Sequence, residues 1–164
     1  MSLSAFLLKN TVNVENIKYV ASKRFLSDQP ELDHQGNPIV IGKTADGKPV
    51  YKRKPIEWEI KAIDGSEDEA LRKSCAKRVP VPGKKNQYQK ETDYDMYLGK
   101  LAVACTVFPN LNDKDLQNDR GVMGAEALLK KMLTPGEYVD YLAKVQEVCG
   151  FETTLQDEVD EAKN

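Results

Sequence analysis

Apolar and polar residues alternate most clearly over residues 56–62. Ile56, Trp58, Ile60 and Ala62 fall on one side of an extended chain, and Glu57, Glu59 and Lys61 fall on the other. A period of two predicts a strand with one buried and one solvated face. Residues 17–25 are rich in strand formers, and we expect them to pair with this strand in antiparallel fashion. The alternative is that both are edge strands with backbone groups free for a partner.

The chain between these two strands contains turn residues and one hairpin signal. Residues 27–37 consist of turn-forming types throughout. Residues 38–41 and 50–53 flank Asp46-Gly47, which predicts a two-stranded hairpin with a long loop. At the N-terminus, Ser2 or Ser4 can cap a short amphipathic helix that runs through Leu8.

After residue 66 the period changes to that of helices. Ser66 and Glu69 fit a capping box that begins the first helix. Asp93 caps the next helix, which is predicted to run to Phe108 and stop at Pro109. Its apolar residues recur at spacings of three and four: Tyr94, Tyr97, Leu98, Leu101, Ala102, Cys105 and Phe108.

Three further helices are predicted toward the C-terminus. A short one surrounds Leu116, and another covers residues 122–133. The last helix has the strongest start signal, with Thr134 as cap, Pro135 at the first position and Glu137 closing the box. Gly150 is predicted to end it.

These patterns predict an α+β fold, with a small N-terminal antiparallel β-sheet and hairpins followed by a C-terminal helical bundle. Residues 1–150 form one domain, β-rich over 14–63 and helical over 66–150, with an inserted hairpin at about 27–54. Residues 151–164 form an acidic tail that is predicted to be flexible. The tail contains five acidic residues and one lysine, a net charge of −4.

Composition excludes several classes of function. The chain has 24 basic and 26 acidic residues, so its charge of −2 predicts no nucleic-acid binding. No apolar run is long enough to span a membrane, and the N-terminus lacks the features of a signal peptide. Cys75, Cys105 and Cys149 are odd in number and far apart, which favours buried thiols in a reducing compartment and a cytoplasmic protein.

No set of residues predicts an enzyme. His34, the single histidine, lies among polar turn residues, and the cysteine spacing does not fit a zinc site. The triplet 42–44, Gly-Lys-Thr, resembles the end of a phosphate-binding loop but lacks the preceding glycine and the following helix. Ser74 and Cys75 lack a base partner. We therefore predict no catalytic, cofactor-binding or metal-binding residues.

Two features could contact a partner. The basic loop 77–90 contains Lys77, Arg78, Lys84, Lys85, Lys90 and Tyr88 without an acidic residue. It is either a solvated linker or a contact for phosphates or an acidic protein surface. The second feature is the placement of Tyr94, Tyr97, Tyr138 and Tyr141 on helix faces. Such stripes are usually core, although tyrosine is also an interface residue.

Long strings in the chain resemble the XkdN-like family of phage tail assembly chaperones. They are residues 77–112, 121–130 and 132–138, together with residues 4–7 and 58–63 near the N-terminus. The resemblance covers nearly the whole chain to Phe151. Residues 27–54 depart from it, because family members often pass between the first two strands through a shorter turn.

The resemblance implies a non-enzymatic assembly factor of a phage or prophage. Members of the family are thought to bind the tape measure protein during tail morphogenesis, with the tail tube protein as a further partner, and to be absent from the finished tail. The resemblance assigns no partner-binding residues, and a homo-oligomer and a longer frameshifted product stay open. The alternatives are a structural tail or baseplate component, or a nucleic-acid-binding regulator.

Overall fold

A computed structural model describes residues 2–151. Within them, two short 3-10 turns (Leu3–Phe6 and Leu8–Asn10) precede six strands, after which helices and three further strands follow. The strands are β1 (Ile17–Tyr19), β2 (Leu26–Pro30), β3 (Val40–Lys43), β4 (Pro49–Tyr51), β5 (Arg53–Pro55), β6 (Trp58–Ile60), β7 (Ala76–Pro80), β8 (Tyr88–Thr92) and β9 (Thr106–Phe108). The helices are α1 (Gly65–Ser74), α2 (Tyr94–Cys105), α3 (Lys114–Asp119), α4 (Ala125–Met132) and α5 (Pro135–Val148). The fold class is α+β, as predicted.

Strand β6 is the centre of a three-stranded antiparallel sheet in the order β1-β6-β9. Ile17 pairs with Ile60 and Tyr19 with Trp58, which confirms the predicted antiparallel pairing of these segments. On the other side, Ile60 pairs with Thr106. Trp58 and Ile60 are buried, as the alternating pattern predicts, because their face of the sheet is covered by helices.

Helix α2 is the central helix of the covering layer. It packs against α1, α4 and α5, and its apolar stripe supplies much of the core. An aromatic cluster joins the sheet to α5: the Trp58 ring meets the Tyr141 ring edge-on at 5.2 Å, and the Tyr19 ring lies 6.1 Å from Tyr141. The buried apolar residues are Ala21, Trp58, Ile60, Cys75, Tyr97, Leu98, Leu101, Ala102, Cys105, Leu111, Leu128, Leu129, Met132, Leu133, Tyr141 and Val145.

Helix starts follow the capping chemistry, with one shift from the prediction. Thr134 and Glu137 form the predicted capping box of α5, with Pro135 in the first turn. Asp93 caps α2 through the backbone N–H of Met96. The box of α1, however, uses Asp64 and Glu67 rather than Ser66 and Glu69. Asp64 accepts from the backbone N–H groups of both Ser66 and Glu67, so the helix begins earlier.

The predicted end of the central helix is wrong. Helix α2 ends at Cys105, and Thr106–Phe108 turns outward to become β9, the third strand of the sheet. Two of these three residues, Thr106 and Val107, are β-branched and therefore suit a strand. Pairing with β6 replaces the last helical turn that the spacing predicts.

Residues 77–90 are not a linker but most of a hairpin. Strands β7 and β8 pair in unbroken register from Ala76 opposite Thr92 to Pro80 opposite Tyr88. Gly83 and Asn86 have positive φ angles in the turn that joins them. We call residues 76–92 the basic hairpin. The region 66–150, predicted to be helical, therefore also contains the strands β7, β8 and β9.

Residues 26–55 form a second projecting structure, which we call the arm. The predicted hairpin around Asp46-Gly47 is confirmed as β3 and β4, with Gly47 at a positive φ. Two other predictions are wrong here. Residues 27–37 are not turn throughout, because β2 begins at Leu26 and pairs with β5, and the predicted strand 17–25 ends at Tyr19. Whether the arm is an insertion stays a prediction, and the acidic tail lies outside the described residues.

Candidate partner-binding surface

The tyrosines of the helix stripes belong to the core. Tyr141 is buried and its hydroxyl lies 2.7 Å from Thr106 Oγ1, which itself donates to the Ala102 carbonyl at 2.6 Å. Burial raises the pKa of Tyr141 to about 12. Tyr97 donates its hydroxyl hydrogen to the Asp68 carboxylate, and burial with this hydrogen bond raises its pKa as well. Both side chains are committed inside the molecule and are not available to a partner.

The other two tyrosines are half-buried beside them. The Tyr94 ring meets Tyr97 edge-on at 6.4 Å, and the Lys130 ammonium lies 5.9 Å from the centre of the Tyr138 ring. Tyr138 lies over Gly99 of α2, where an added Cβ would be in van der Waals contact with its hydroxyl oxygen, 3.4 Å away. The core interpretation of the tyrosine stripes is therefore correct for Tyr97 and Tyr141, and Tyr94 and Tyr138 pack against the same core.

The residues weighed for catalysis lie in unrelated places. His34 is exposed in the turn between β2 and β3. Gly42 and Lys43 belong to β3, and Thr44 lies in the following turn, where its Oγ1 accepts a hydrogen bond from the Lys48 backbone N–H. A strand follows this turn instead of the helix that a phosphate-binding loop requires. Ser74 Oγ donates to the Leu71 carbonyl, 2.8 Å away, at the end of α1. Within residues 2–151 no group of three or more potential metal ligands comes together.

The three-stranded sheet and the helices that cover it, which we call the body, contain a pair formed by two of the three thiols. Cys105 Sγ and Cys149 Sγ are 3.5 Å apart, and both cysteines are free, as is the buried Cys75. The hydrogen bond between the two thiols raises the pKa of Cys105 and lowers that of Cys149, so Cys149 is the one that ionises first. Cys149 is only half-buried, whereas Cys75 and Cys105 are buried as the sequence predicts.

A candidate contact surface lies in residues 2–14, which we call the N-terminal segment. Its large apolar side chains are exposed, to 82% for Leu3, 81% for Phe6 and 93% for Leu8. Leu7, Val12 and Val14 are exposed as well, and none of these six residues packs against the core. A group of large apolar side chains without a covering layer is typical of a protein-binding surface.

Local hydrogen bonds, rather than packing, shape this segment. Ser2 caps the first 3-10 turn, Asn10 Nδ2 donates to the Ser4 carbonyl at 2.6 Å, and Thr11 Oγ1 donates to the Leu7 carbonyl at 3.0 Å. Asn16 then fixes the exit to the sheet by donating to Glu59 Oε1. The predicted amphipathic helix is wrong in type, because 3-10 turns replace it. Sequence reasoning also missed this surface. The sign that could have revealed it is a group of apolar residues that do not recur at the regular spacing of a buried helix or strand face.

The arm and the basic hairpin are the other exposed surfaces. The arm exposes Leu32, Val40, Ile41, Val50 and Tyr51, since a two-stranded ribbon has no second layer to cover them. The basic hairpin exposes Lys84, Lys85 and Lys90, while the Arg78 guanidinium lies 5.3 Å from the centre of the Tyr88 ring. Within residues 2–151 no helix is both long and apolar enough to cross a bilayer. The N-terminal segment, the arm and the basic hairpin are therefore the candidate contact surfaces of the described residues.

Comparison with known proteins places this fold in a family. The family model of the phage XkdN-like tail assembly chaperone protein matches residues 40–163. The phage-like element PBSX protein XkdN of Bacillus subtilis (strain 168) is 31% identical over 163 residues, which cover 99% of this chain and 93% of that protein. The uncharacterized protein YqbN of the same strain is 28% identical over the same shares.

A solved structure shares the fold. The crystal structure of the protein YqbN superposes with a TM-score of 0.63 at 24% identity, covering 93% of this chain and 98% of that one. The protein is thus an α+β protein of the kind that assists phage tail assembly. The chain belongs to the XkdN-like family of phage tail assembly chaperones.

Proposed function

We propose that this chain binds the tape measure protein of its phage or prophage tail in the host cytoplasm, without catalysing a reaction. In this proposal it holds that protein soluble while the tail tube protein polymerises, and it leaves before the tail is finished. Membership of the tail chaperone family supports the class of function. The observation that carries the choice of partner is the uncovered apolar surface of the N-terminal segment.

An apolar helical partner suits this surface. Burying one large apolar side chain is worth about 1.5–3 kcal/mol, so Leu3, Phe6 and Leu8 together could support a specific contact after binding costs. The segment leads directly to β1, and Asn16, just before that strand, is held by its hydrogen bond to Glu59. A partner seated on the segment would therefore be anchored to the sheet.

Co-expression with the tape measure protein of the same operon tests the proposal. We expect that protein to remain in the soluble fraction and to co-purify with this chain. The variant L3S/F6S/L8S should lose both effects while its circular dichroism is unchanged, because these residues contribute nothing to the core. The control is V40S/I41S, which removes exposed apolar side chains from the arm and should retain both effects.

Three results would contradict the proposal. The tape measure protein could aggregate whether or not this chain is present. The two variants could behave alike, which would remove the role of the N-terminal segment. Mass spectrometry could find this chain at full stoichiometry in purified tails, which would make it a structural component instead.

A further inference from the structure

The basic hairpin carries positive charges that are not paired with acidic side chains among the described residues. Residues 76–92 contain five basic residues and one acidic residue, a net charge of +4. Lys77 is paired, with its Nζ 3.6 Å from Asp93. Lys84, Lys85 and Lys90 have no acidic partner within salt-bridge distance among residues 2–151, although all three are exposed.

The neighbouring helix shows the contrast. On α1, Arg72 pairs with Asp68 at 2.9 Å and Lys73 pairs with Glu69 at 2.7 Å, each one turn apart. The basic residues at the end of that helix are therefore already compensated, whereas those in the turn of the basic hairpin are not. A cluster of like charges without counter-charges attracts an anionic segment.

The same chain contains a segment of opposite charge. Residues 152–164, which follow the described part, contain five acidic residues and one lysine, a net charge of −4. We propose that the basic hairpin is a docking surface for this chain's own acidic C-terminal segment. The contact is electrostatic, between the carboxylates of the segment and the unpaired lysines of the basic hairpin.

The positions of the two segments allow this contact. Phe151 lines a small cavity with Asp64 and Gly65, at the start of α1, and the far end of α1 leads into β7. Helix α1 spans about 15 Å, and the paired strands of the hairpin add about 17 Å. At about 3.4 Å per residue, Asp160 and Glu161 can lie up to about 31–34 Å from Phe151, so their carboxylates can reach Lys84 and Lys85 in the turn.

Tethering makes a weak attraction sufficient. Exposed ion pairs contribute little one by one, and salt screens them. A segment joined to the body through Phe151, however, has an effective concentration in the millimolar range, about that of a short flexible linker.

Zero-length carbodiimide cross-linking of the full chain, with peptide mapping by mass spectrometry, tests the proposal. We expect links from Asp160 and Glu161 to Lys84, Lys85 and Lys90, and links from Asp157 and Glu158 to Lys90, which lies nearer the base of the hairpin. We expect few links to the exposed Lys43, Lys48 and Lys54 of the arm. The yield of the hairpin links should fall by about fivefold when salt rises from about 0.05 M to about 0.5 M, because the screening length shrinks to about 3–5 Å. In a mixture of isotope-labelled and unlabelled chains, the links should stay within one molecule.

Charge-matched variants give a second readout. Neutralising the tail with D157N/E158Q/D160N/E161Q should shift the backbone amide resonances of residues 76–92 and leave those of the arm unchanged. K84Q/K85Q/K90Q should abolish the tail cross-links, whereas the control K43Q/K48Q/K54Q, which removes the same charge from the arm, should retain them.

Each of three outcomes would overturn the proposal. Tail links spread evenly over hairpin and arm lysines would show no specific docking. Links mainly between labelled and unlabelled chains would make a second copy the occupant. If the tail does not link and the full chain retards duplex DNA through Lys84, Lys85 and Lys90, the hairpin is a nucleic-acid site instead.

Discussion

The body and the arm differ in how far they bury the apolar side chains of their strands. In the body, Trp58 and Ile60 of β6 are almost completely buried, because helices cover one face of the sheet. In the arm, Val40 and Ile41 are exposed to 52% and 64%, although their strand is also paired. Backbone pairing alone therefore does not bury a side chain, and stability in this molecule comes from the layer that covers the sheet.

The largest expected effect is at the centre of the body. Trp58→Ala should lower the free energy of unfolding by about 3–5 kcal/mol, because it removes a buried ring and leaves a cavity beside Tyr141. Urea denaturation followed by circular dichroism measures this loss. A loss below about 1 kcal/mol would mean that the aromatic cluster is not the centre of the fold.

A second effect concerns acid stability. Glu137 accepts hydrogen bonds from Arg24, the Thr134 backbone and Ser22, and these lower its pKa from 4.5 to about 2. A pKa lowered by folding gives stability that is present above the unfolded value and is lost as pH falls from 4.5 toward 2. Glu137→Gln should therefore flatten the fall in thermal midpoint over this window.

The control for this experiment is Glu147→Gln. Glu147 pairs with Lys144 on its own helix at 2.9 Å and does not join two parts of the body. Glu147→Gln should therefore show the same fall in thermal midpoint between pH 4.5 and pH 2 as the unsubstituted protein. Equal profiles for both variants would show that Glu137 does not link α5 to the chain after β1.

A smaller effect is expected at the Tyr141 hydroxyl. Tyr141→Phe should cost about 0.5–1.5 kcal/mol, since it removes one buried hydrogen bond to Thr106 while Thr106 keeps its bond to Ala102. Tyr51→Phe in the arm is the control, because Tyr51 is exposed. If both variants denature at the same midpoint, the buried hydroxyl of Tyr141 contributes no more stability than the exposed hydroxyl of Tyr51.

The smallest effect is expected in the arm itself. Ile41→Ala should change the free energy of unfolding by less than about 0.5 kcal/mol, because its side chain is exposed. A loss above about 2 kcal/mol would mean that something covers the arm in solution, and a concentration dependence of that loss would identify a second copy.

The same difference explains what the sequence could predict. Strand β6 and helix α5 were found because burial on one face imposes a clear period and capping residues mark the ends. Strand β9 was missed, because Thr106–Phe108 continues the helical spacing and only its distant partner β6 makes it a strand. Strands β7 and β8 were missed because neither face is buried, so no alternation appears.

Predictions about surfaces were harder for the same reason. Tyr97 and Tyr141 were correctly assigned to the core, because residues on a buried helix face must recur at spacings of three and four. The N-terminal segment obeys no such constraint, so its apolar residues carry no periodic signal. The family was recognised from long strings of residues, and this resemblance is confirmed by a match over most of the chain. Neither source of information assigns a contact residue.

The order of strands in the central sheet has a consequence for synthesis on the ribosome. Ile60 pairs with Ile17 on one side and with Thr106 on the other, so β6 must wait for its second neighbour until the chain beyond Phe108 has emerged. The arm and the basic hairpin use neighbouring residues and can close earlier, since short loops close fast. The parts that add least to the finished core are thus expected to form first during translation.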